Sequence, residues 1–379
     1  MSDTDCNAAT YHRVVAPYKI GVMIDLPGDP GCSDLFVEGL EIAFAEYRER
    51  GFLDRPVELL VREYDAQPWQ AGKVNVDVYR ELAEQGVLAV AGPMTTDNGL
   101  ALLPELDRQQ VSSISICGSQ EYAGDFAFSL PNGGMADEAM VIASWLRHRG
   151  LTRFAILRET PSQIGYEYTA HMYLAAEALE LEIALDQGIN VGASEAEIDA
   201  AIARLKESAP DAVVYLGLGR FEGGMEKITI AFERSGWNPP RFMCASFVRA
   251  AYSEQRARAF TGWVGIDQID EDNPLFARLV QAYEDRRGHT LANPTSVFSC
   301  GYDIGRCLAI ALGRMRIATP VALRDALETI TRLPSATGGR GTIISFSKRN
   351  HRGFHGPNYL ILRSVQAGRS VFEGAAPVI

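Results

Sequence analysis

Residues 18–50 read YKIGVMIDLPGDPGCSDLFVEGLEIAFAEYRER. The first seven form an apolar run of strand length, a Gly/Pro-rich turn follows at 28–33, and Phe36, Leu40, Phe44 and Tyr47 then recur at the spacing of one helix face. A strand apolar on both faces that leads into an amphipathic helix is the repeating unit of a parallel sheet covered on both sides. The unit recurs as strand 57–64, helix 70–85, strand 87–91, helix 96–110 and strand 113–117. From Gly133 a second series starts, with helices at 135–149, 165–181, 195–208 and 221–235 and strands at 154–157, 182–187, 212–216 and 242–245. Ser194 and Glu197 announce the helix at 195–208 as a capping box, in which each side chain satisfies the other residue's orphan amide. The tail differs, with helices near 273–287, 296–314 and 320–331 and then short strands at 341–346, 359–363 and 370–372. The expected fold class is α/β, with two doubly wound parallel-sheet lobes.

The chain has 379 residues, enough for two domains with cores of their own, and 47 % hydrophobic against 22 % charged residues is a globular composition. Lys plus Arg at 36 against Asp plus Glu at 48 leaves a net charge of −12, which disfavours nucleic acid and anionic membranes as partners. No apolar stretch approaches the roughly 18–20 residues of a membrane span. Cys6, Cys32, Cys117, Cys244, Cys300 and Cys307 contain no CxxC pair and sit mostly in apolar segments, as reduced thiols do. The N-terminus has neither a basic nor an apolar leader region. The expected address is therefore cytoplasmic as written, or periplasmic or extracellular if Met1 follows a removed segment.

In parallel sheets, ligands gather beyond the C-terminal ends of the strands, where helix N-termini present unpaired amides. That rule selects the loops 28–33, 92–96, 117–121, 159–166, 217–221 and 245–247. Gly217-Leu-Gly219-Arg-Phe-Glu-Gly223 resembles a dinucleotide fingerprint, but its third glycine is one residue late and no ribose-binding acid follows at the required distance. A tight turn explains it as well. There is no phosphate loop, nucleophile elbow or HExxH, so a nucleotide-dependent α/β enzyme is the remote alternative. His351 and His355 are spaced i, i+4 but straddle Gly353 in a turn and have no carboxylate or thiol to complete a metal set. No catalytic residue, metal or cofactor is expected. Thr95, Thr96 and Ser119 bring hydroxyls to helix starts and suit either capping or the holding of a carboxylate or carbonyl, with Gly118 allowing close backbone approach. Cys32 and Cys117 lie in the same loops and read as small wall residues.

Taken together, YKIGVMIDLPG, EGLEIAFAEYRERGFLDRPVELLVREYDAQP, AVAGPMTT, SISICGSQEYAG, GYEYT, DAVVYLGLG, GYDIGRCLAIAL and GGRGTIISFSKRNHRGFHGPNYLIL resemble the leucine/isoleucine/valine-binding-protein family of ABC-transporter solute receptors. These have the type I periplasmic-binding-protein fold. The resemblance runs from about Tyr18 to Phe372 and implies two lobes, joined by three crossovers, that enclose a small ligand. It implies a flexible arm at 1–17, a first lobe of 18–131 and 263–338, and a second of 132–262 and 339–379. It places the first-lobe hydroxyl on Thr96 and the carboxylate clamp on Cys117 and Ser119. In the second lobe, the family's aromatic wall falls on Ile164 before Gly165, another aromatic falls near Gly219, and the acid expected to pair with an ammonium falls near Ser246 and Phe247, where no carboxylate stands. Glu121, Glu159 or Glu222 could supply one from elsewhere. The implied function is non-catalytic binding of a small, mostly apolar carboxylate or amide, with an ABC-transporter permease as partner. The alternative is a cytoplasmic sensor similar to the amide-responsive regulators of amidase operons, with a regulatory protein as partner.

Overall fold

The computed structural model describes residues 15–25, 32–66, 71–219 and 224–375. Residues 1–14 of the expected arm, positions 28–31 of the first turn, Gln70 and residues 220–223, including Glu222 and Gly223, lie outside them.

The first lobe is built from β1 (Tyr18–Ile24), α1 (Ser33–Glu49), β2 (Val57–Glu63), α2 (Ala71–Glu84), β3 (Ala89–Ala91), α3 (Thr96–Gln109), β4 (Ser112–Ser115) and β5 (Ala127–Ser129). Its sheet has the order β2-β1-β3-β4-β5 and every pair is parallel. The second lobe continues with α4 (Met135–His148), β6 (Arg153–Thr160), α5 (Gln163–Ala178), β7 (Glu182–Asn190), α6 (Glu195–Glu207), β8 (Ala212–Leu216), α7 (Gly224–Ser235), β9 (Arg241–Met243), α8 (Glu254–Arg258) and β10 (Trp263–Asp267). The chain then adds α9 (Pro274–Arg287), α10 (Ser296–Arg314) and α11 (Pro320–Leu327), the two-stranded pair β11 (Leu333–Pro334) and β12 (Ile343–Ile344), and finally β13 (Ile361–Gln366) and β14 (Arg369–Ala375).

The second sheet has the order β14-β13-β10-β9-β8-β6-β7, parallel except where β13 pairs antiparallel with β10 and β14. Strands β5 and β10 were not expected from the sequence. The first is only three residues long, and the second carries a glycine at its centre, where the ring of Phe247 packs within 2.4 Å of the position a Cβ would take. Because β10 pairs with β9, the chain leaves the second lobe after Asp267 and not at 263. It also returns later than 339. Phe346 stacks edge-on against Phe128, and residues 351–353 hydrogen-bond both ways with Ser129 of β5, so the second sheet is rejoined only at Ile361.

Local signals held where the contacts are local. Ser194 and Glu197 make the reciprocal capping box. The α1 face of Phe36, Leu40 and Phe44 is buried against α10 through Gly39, Gly301 and Gly305, whose missing side chains let the two backbones touch. The first two crossings between lobes are tied to each other, and the second is tied to Gly338 of the first lobe's tail. Gln268 Nε2 donates to the Pro131 carbonyl at 2.9 Å, and the Gly338 amide donates to the Gln268 carbonyl at 2.7 Å. No helix among the described residues is long and apolar enough to cross a membrane.

Candidate functional site

In each lobe a buried carboxylate near the end of the first strand grips the loop that follows a neighbouring strand. Asp25, directly after β1 and fully buried, accepts from the Met94 amide (2.6 Å), the Thr95 amide (3.1 Å), the Thr95 hydroxyl (2.5 Å) and Asn98 Nδ2 (2.6 Å). In the second lobe Glu159 of β6 accepts from the Tyr215 hydroxyl (2.6 Å) and from the amides of Leu218 and Gly219 (2.7 Å each). Desolvation pushes the Glu159 carboxyl up, while these donors and the nearby Arg249 charge pull it down. The sequence offered no signal for Asp25, because its partners lie about 70 residues away.

Between the two gripped loops lies a cavity of about 90 Å³. The first lobe contributes Cys32, Met94, Thr95, Thr96, Ile116, Gly118 and Val297, and the crossing contributes Asn132 and Gly133. The second lobe contributes Met135, Ile164, Tyr168, Leu218 and one face of the 3-10 turn Ala245–Ala251 with its successor Tyr252. The lobes meet around it. The Gln163 amide donates to Asp97 Oδ1 at 3.2 Å, the Gln120 amide to Glu167 Oε1 at 3.0 Å, and the Tyr252 hydroxyl lies 3.5 Å from Cys32 Sγ. Burial between the lobes raises the Asp97 carboxyl's pKa.

Of the residues singled out from the sequence, Cys32, Thr95, Thr96, Gly118, Ile164 and Ser246 line this cavity. Thr95 spends its hydroxyl on Asp25, and Ser246 donates its own to the Gly217 carbonyl. Thr96 accepts the Cys117 thiol at 3.6 Å and so can direct its own hydrogen into the cavity. Cys117 itself stands one layer back, where burial pushes its thiol up to about 12. Ser119 departs from the expected clamp. Its hydroxyl accepts from the Glu121 amide at 3.0 Å, and it lines a separate depression of about 500 Å³ with Lys348, Arg349 and Arg352. Gly165 serves helix-to-strand contact, since a Cβ there would lie 2.2 Å from the Glu159 carbonyl oxygen. Gly219, at φ +65°, presents its amide to Glu159. Phe247 faces away from the cavity into the second-lobe core, 5.6 Å from the Phe260 ring, because the 3-10 turn sends Ser246 and Arg249 to one side and Phe247 and Ala250 to the other.

Tyr168 and Arg249 are cavity residues that the sequence reading missed. Tyr168 follows Ile164 by one helical turn, a signal that spacing could have revealed. Arg249 is the single charge within CASFVRAAY. Of the three acids proposed to reach the cleft, Glu159 is engaged as described, Glu121 is exposed and Glu222 is outside the described residues.

Behind the wall formed by Gly133, Tyr168 and Ala245 lies Glu138, fully buried, accepting from the Tyr168 hydroxyl at 2.7 Å and the Ala245 amide at 2.6 Å. Its Oε1 sits 2.0 Å from where a Cβ on Gly133 would be, so residue 133 must be glycine for the carboxyl to fit. Burial raises the carboxyl to about 7, against those two bonds, with Asp137 adding to the rise and Arg352 opposing it. An acid raised on folding from 4.5 to about 7 supports the folded state fully below pH 4.5 and loses that support as pH climbs through 7. Glu138→Gln can keep both contacts, its carbonyl toward Ala245 and its amide toward the Tyr168 oxygen. The variant is expected to lose less of its melting temperature between pH 5 and 8 than the parent, by several degrees. Equal slopes in a pH series of thermal melts would refute this account of Glu138.

The family described as periplasmic binding protein matches this chain over residues 17–368. No curated protein sequence matches it. Among solved structures, the branched-chain amino acid transporter substrate binding protein of Streptococcus pneumoniae, in complex with isoleucine, is 18 % identical and superposes with a TM-score of 0.76 over 96 % of this chain and 100 % of that one. The leucine binding protein of Thermotoga maritima is 16 % identical, with a TM-score of 0.77 over 95 % and 98 %. An ABC transporter substrate-binding protein of Desulfitobacterium hafniense, in complex with Leu, is 18 % identical, with a TM-score of 0.77 over 94 % and 100 %. The type I periplasmic binding fold is common to them and to this chain.

Proposed function

Since the chain belongs to the periplasmic binding protein family, we propose that it is a non-catalytic solute receptor that closes its lobes over a small, mostly apolar carboxylate or amide and delivers it to an ABC-transporter permease. The observation that carries this reading is the chemistry of the cavity wall. Met94, Ile116, Met135, Ile164, Val248 and Val297 are apolar, and no Asp or Glu is among the described residues that line it. An ammonium enclosed there would give up several kcal/mol of hydration without a charge partner. An aliphatic tail against the same wall gains about 25 cal/mol per Å² buried. Glu138 and Glu159 lie close behind the wall, but their oxygens are engaged by protein donors.

The names of the solved relatives carry leucine and isoleucine, ligands with an aliphatic tail and a carboxylate that also bear the ammonium this wall does not provide for. A calorimetric titration of leucine against 4-methylpentanoate separates the two demands. The deaminated acid is expected to bind at least tenfold more tightly, and tighter binding of leucine would defeat the proposal.

A further inference from the structure

We propose that Arg249 is the specificity-determining residue that makes this cleft prefer a carboxylate to the corresponding amide. The inference deepens the receptor reading and rests on it. Backbone amides at the ends of parallel strands are the usual docking point for a ligand's anionic group. Here the protein has already filled five of them with its own acids. Asp25 takes the amides of Met94 and Thr95. Glu159 takes those of Leu218 and Gly219, and Glu138 takes that of Ala245. A ligand carboxylate that entered along those loops would meet buried carboxylates in place of open donors.

The compensating positive charge stands beside these loops on the second lobe's wall, where Arg249 lines the cavity from the 3-10 turn. Its Nη1 donates to the carbonyls of Leu218 (3.1 Å) and Gly219 (2.6 Å), the same two residues whose amides Glu159 holds. The loop is therefore gripped on both edges of its backbone, and it in turn fixes the plane of the guanidinium. A fork held in this way binds carboxylate with little ordering cost, and its charge rewards an acid more than a neutral amide of the same shape. It also places the anion-recognising group on the second lobe, so that a carboxylate reaching it from the first lobe's wall draws the two lobes together.

The test compares wild type, Arg249→Met and Arg249→Lys in calorimetric titrations with 4-methylpentanoate and 4-methylpentanamide, and with leucine and leucinamide. Arg249→Met is expected to weaken both acids ten- to a hundredfold, as loss of a charge-assisted bond implies, and both amides less than threefold. Arg249→Lys should recover part of the acid affinity, since it restores charge without the planar fork. Equal losses for acids and amides would assign Arg249 only to holding the 218–219 loop and overturn the proposal, as would unchanged acid affinity in Arg249→Met. The receptor reading fails separately. Leucine binding wild type more tightly than 4-methylpentanoate would remove the deaminated ligand class, while the ratio of leucine to leucinamide would still report on Arg249. Wild type binding none of the four would overturn both.

Discussion

Asp25→Ala is expected to cost about 3–5 kcal/mol of folding stability and to weaken ligand binding by an order of magnitude or more. The carboxylate is fully buried and accepts four hydrogen bonds, two of them from the backbone amides of Met94 and Thr95. Removing it orphans those amides, each at about 1–3 kcal/mol, while the Thr95 hydroxyl can rotate and Asn98 Nδ2 keeps its second acceptor, the Ala66 carbonyl at 3.1 Å. The affinity loss follows because Met94, Thr95 and Thr96 are wall residues that this carboxylate holds in place. Asp25→Asn sets a useful intermediate. Its carbonyl can serve the three donors that now meet Oδ2, but its NH2 faces the Met94 amide donor to donor, so about 1–2 kcal/mol should be lost. Urea denaturation and calorimetric titration of the two variants check the order. A change below 1 kcal/mol for Asp25→Ala would show that the loop does not depend on this residue.

Gly301→Val is expected to be as damaging to stability, by about 3–5 kcal/mol, through sterics instead of hydrogen bonding. A Cβ at Gly301 would lie 2.2 Å from the Phe36 carbonyl oxygen and 3.1 Å from its Cα, and backbone cannot move aside as a side chain can. Gly39 on the facing helix is equally constrained, 2.5 Å from the Phe298 carbonyl oxygen, so α1 and α10 would have to separate along their contact. Val297, near the start of α10, lines the cavity, and its displacement should carry the damage to ligand affinity. Gly72→Ala in α2 is the counter-test. No described residue lies within 4 Å of its Cβ position, so helix propensity should act alone and stabilise by about 0.5–1 kcal/mol. Chemical denaturation of the pair should give opposite signs. A shift of less than 1 kcal/mol for Gly301→Val would contradict this close packing.

Much of the fold was legible because its signals are local. Apolar runs such as that of β1, the i, i+4 face of α1 and the Ser194–Glu197 cap are written within a few residues, and the rule that parallel-sheet ligands lie beyond strand ends then pointed to the loops holding Thr95, Thr96, Gly118 and Ser246. Two short strands were lost, β5, which has only three residues, and β10, whose apolar run is broken by a central glycine.

The division of labour inside the site was not legible at all. Ser119 and Thr96 look alike in sequence, yet one hydroxyl turns to the amide of Glu121 while the other borders the cavity. Phe247 and Arg249 are two residues apart, and the 3-10 turn sends them to opposite sides. Sequence by itself determined which loops to inspect, since strand positions and helix faces follow from short-range hydrophobic patterning and ligands gather beyond strand ends. Only the tertiary structure decided which donors in those loops remain for a ligand. That depends on Asp25, Glu138 and Glu159 reaching backbone amides 59 to 107 residues away, and a hydrogen bond between distant segments leaves no periodic trace in the chain.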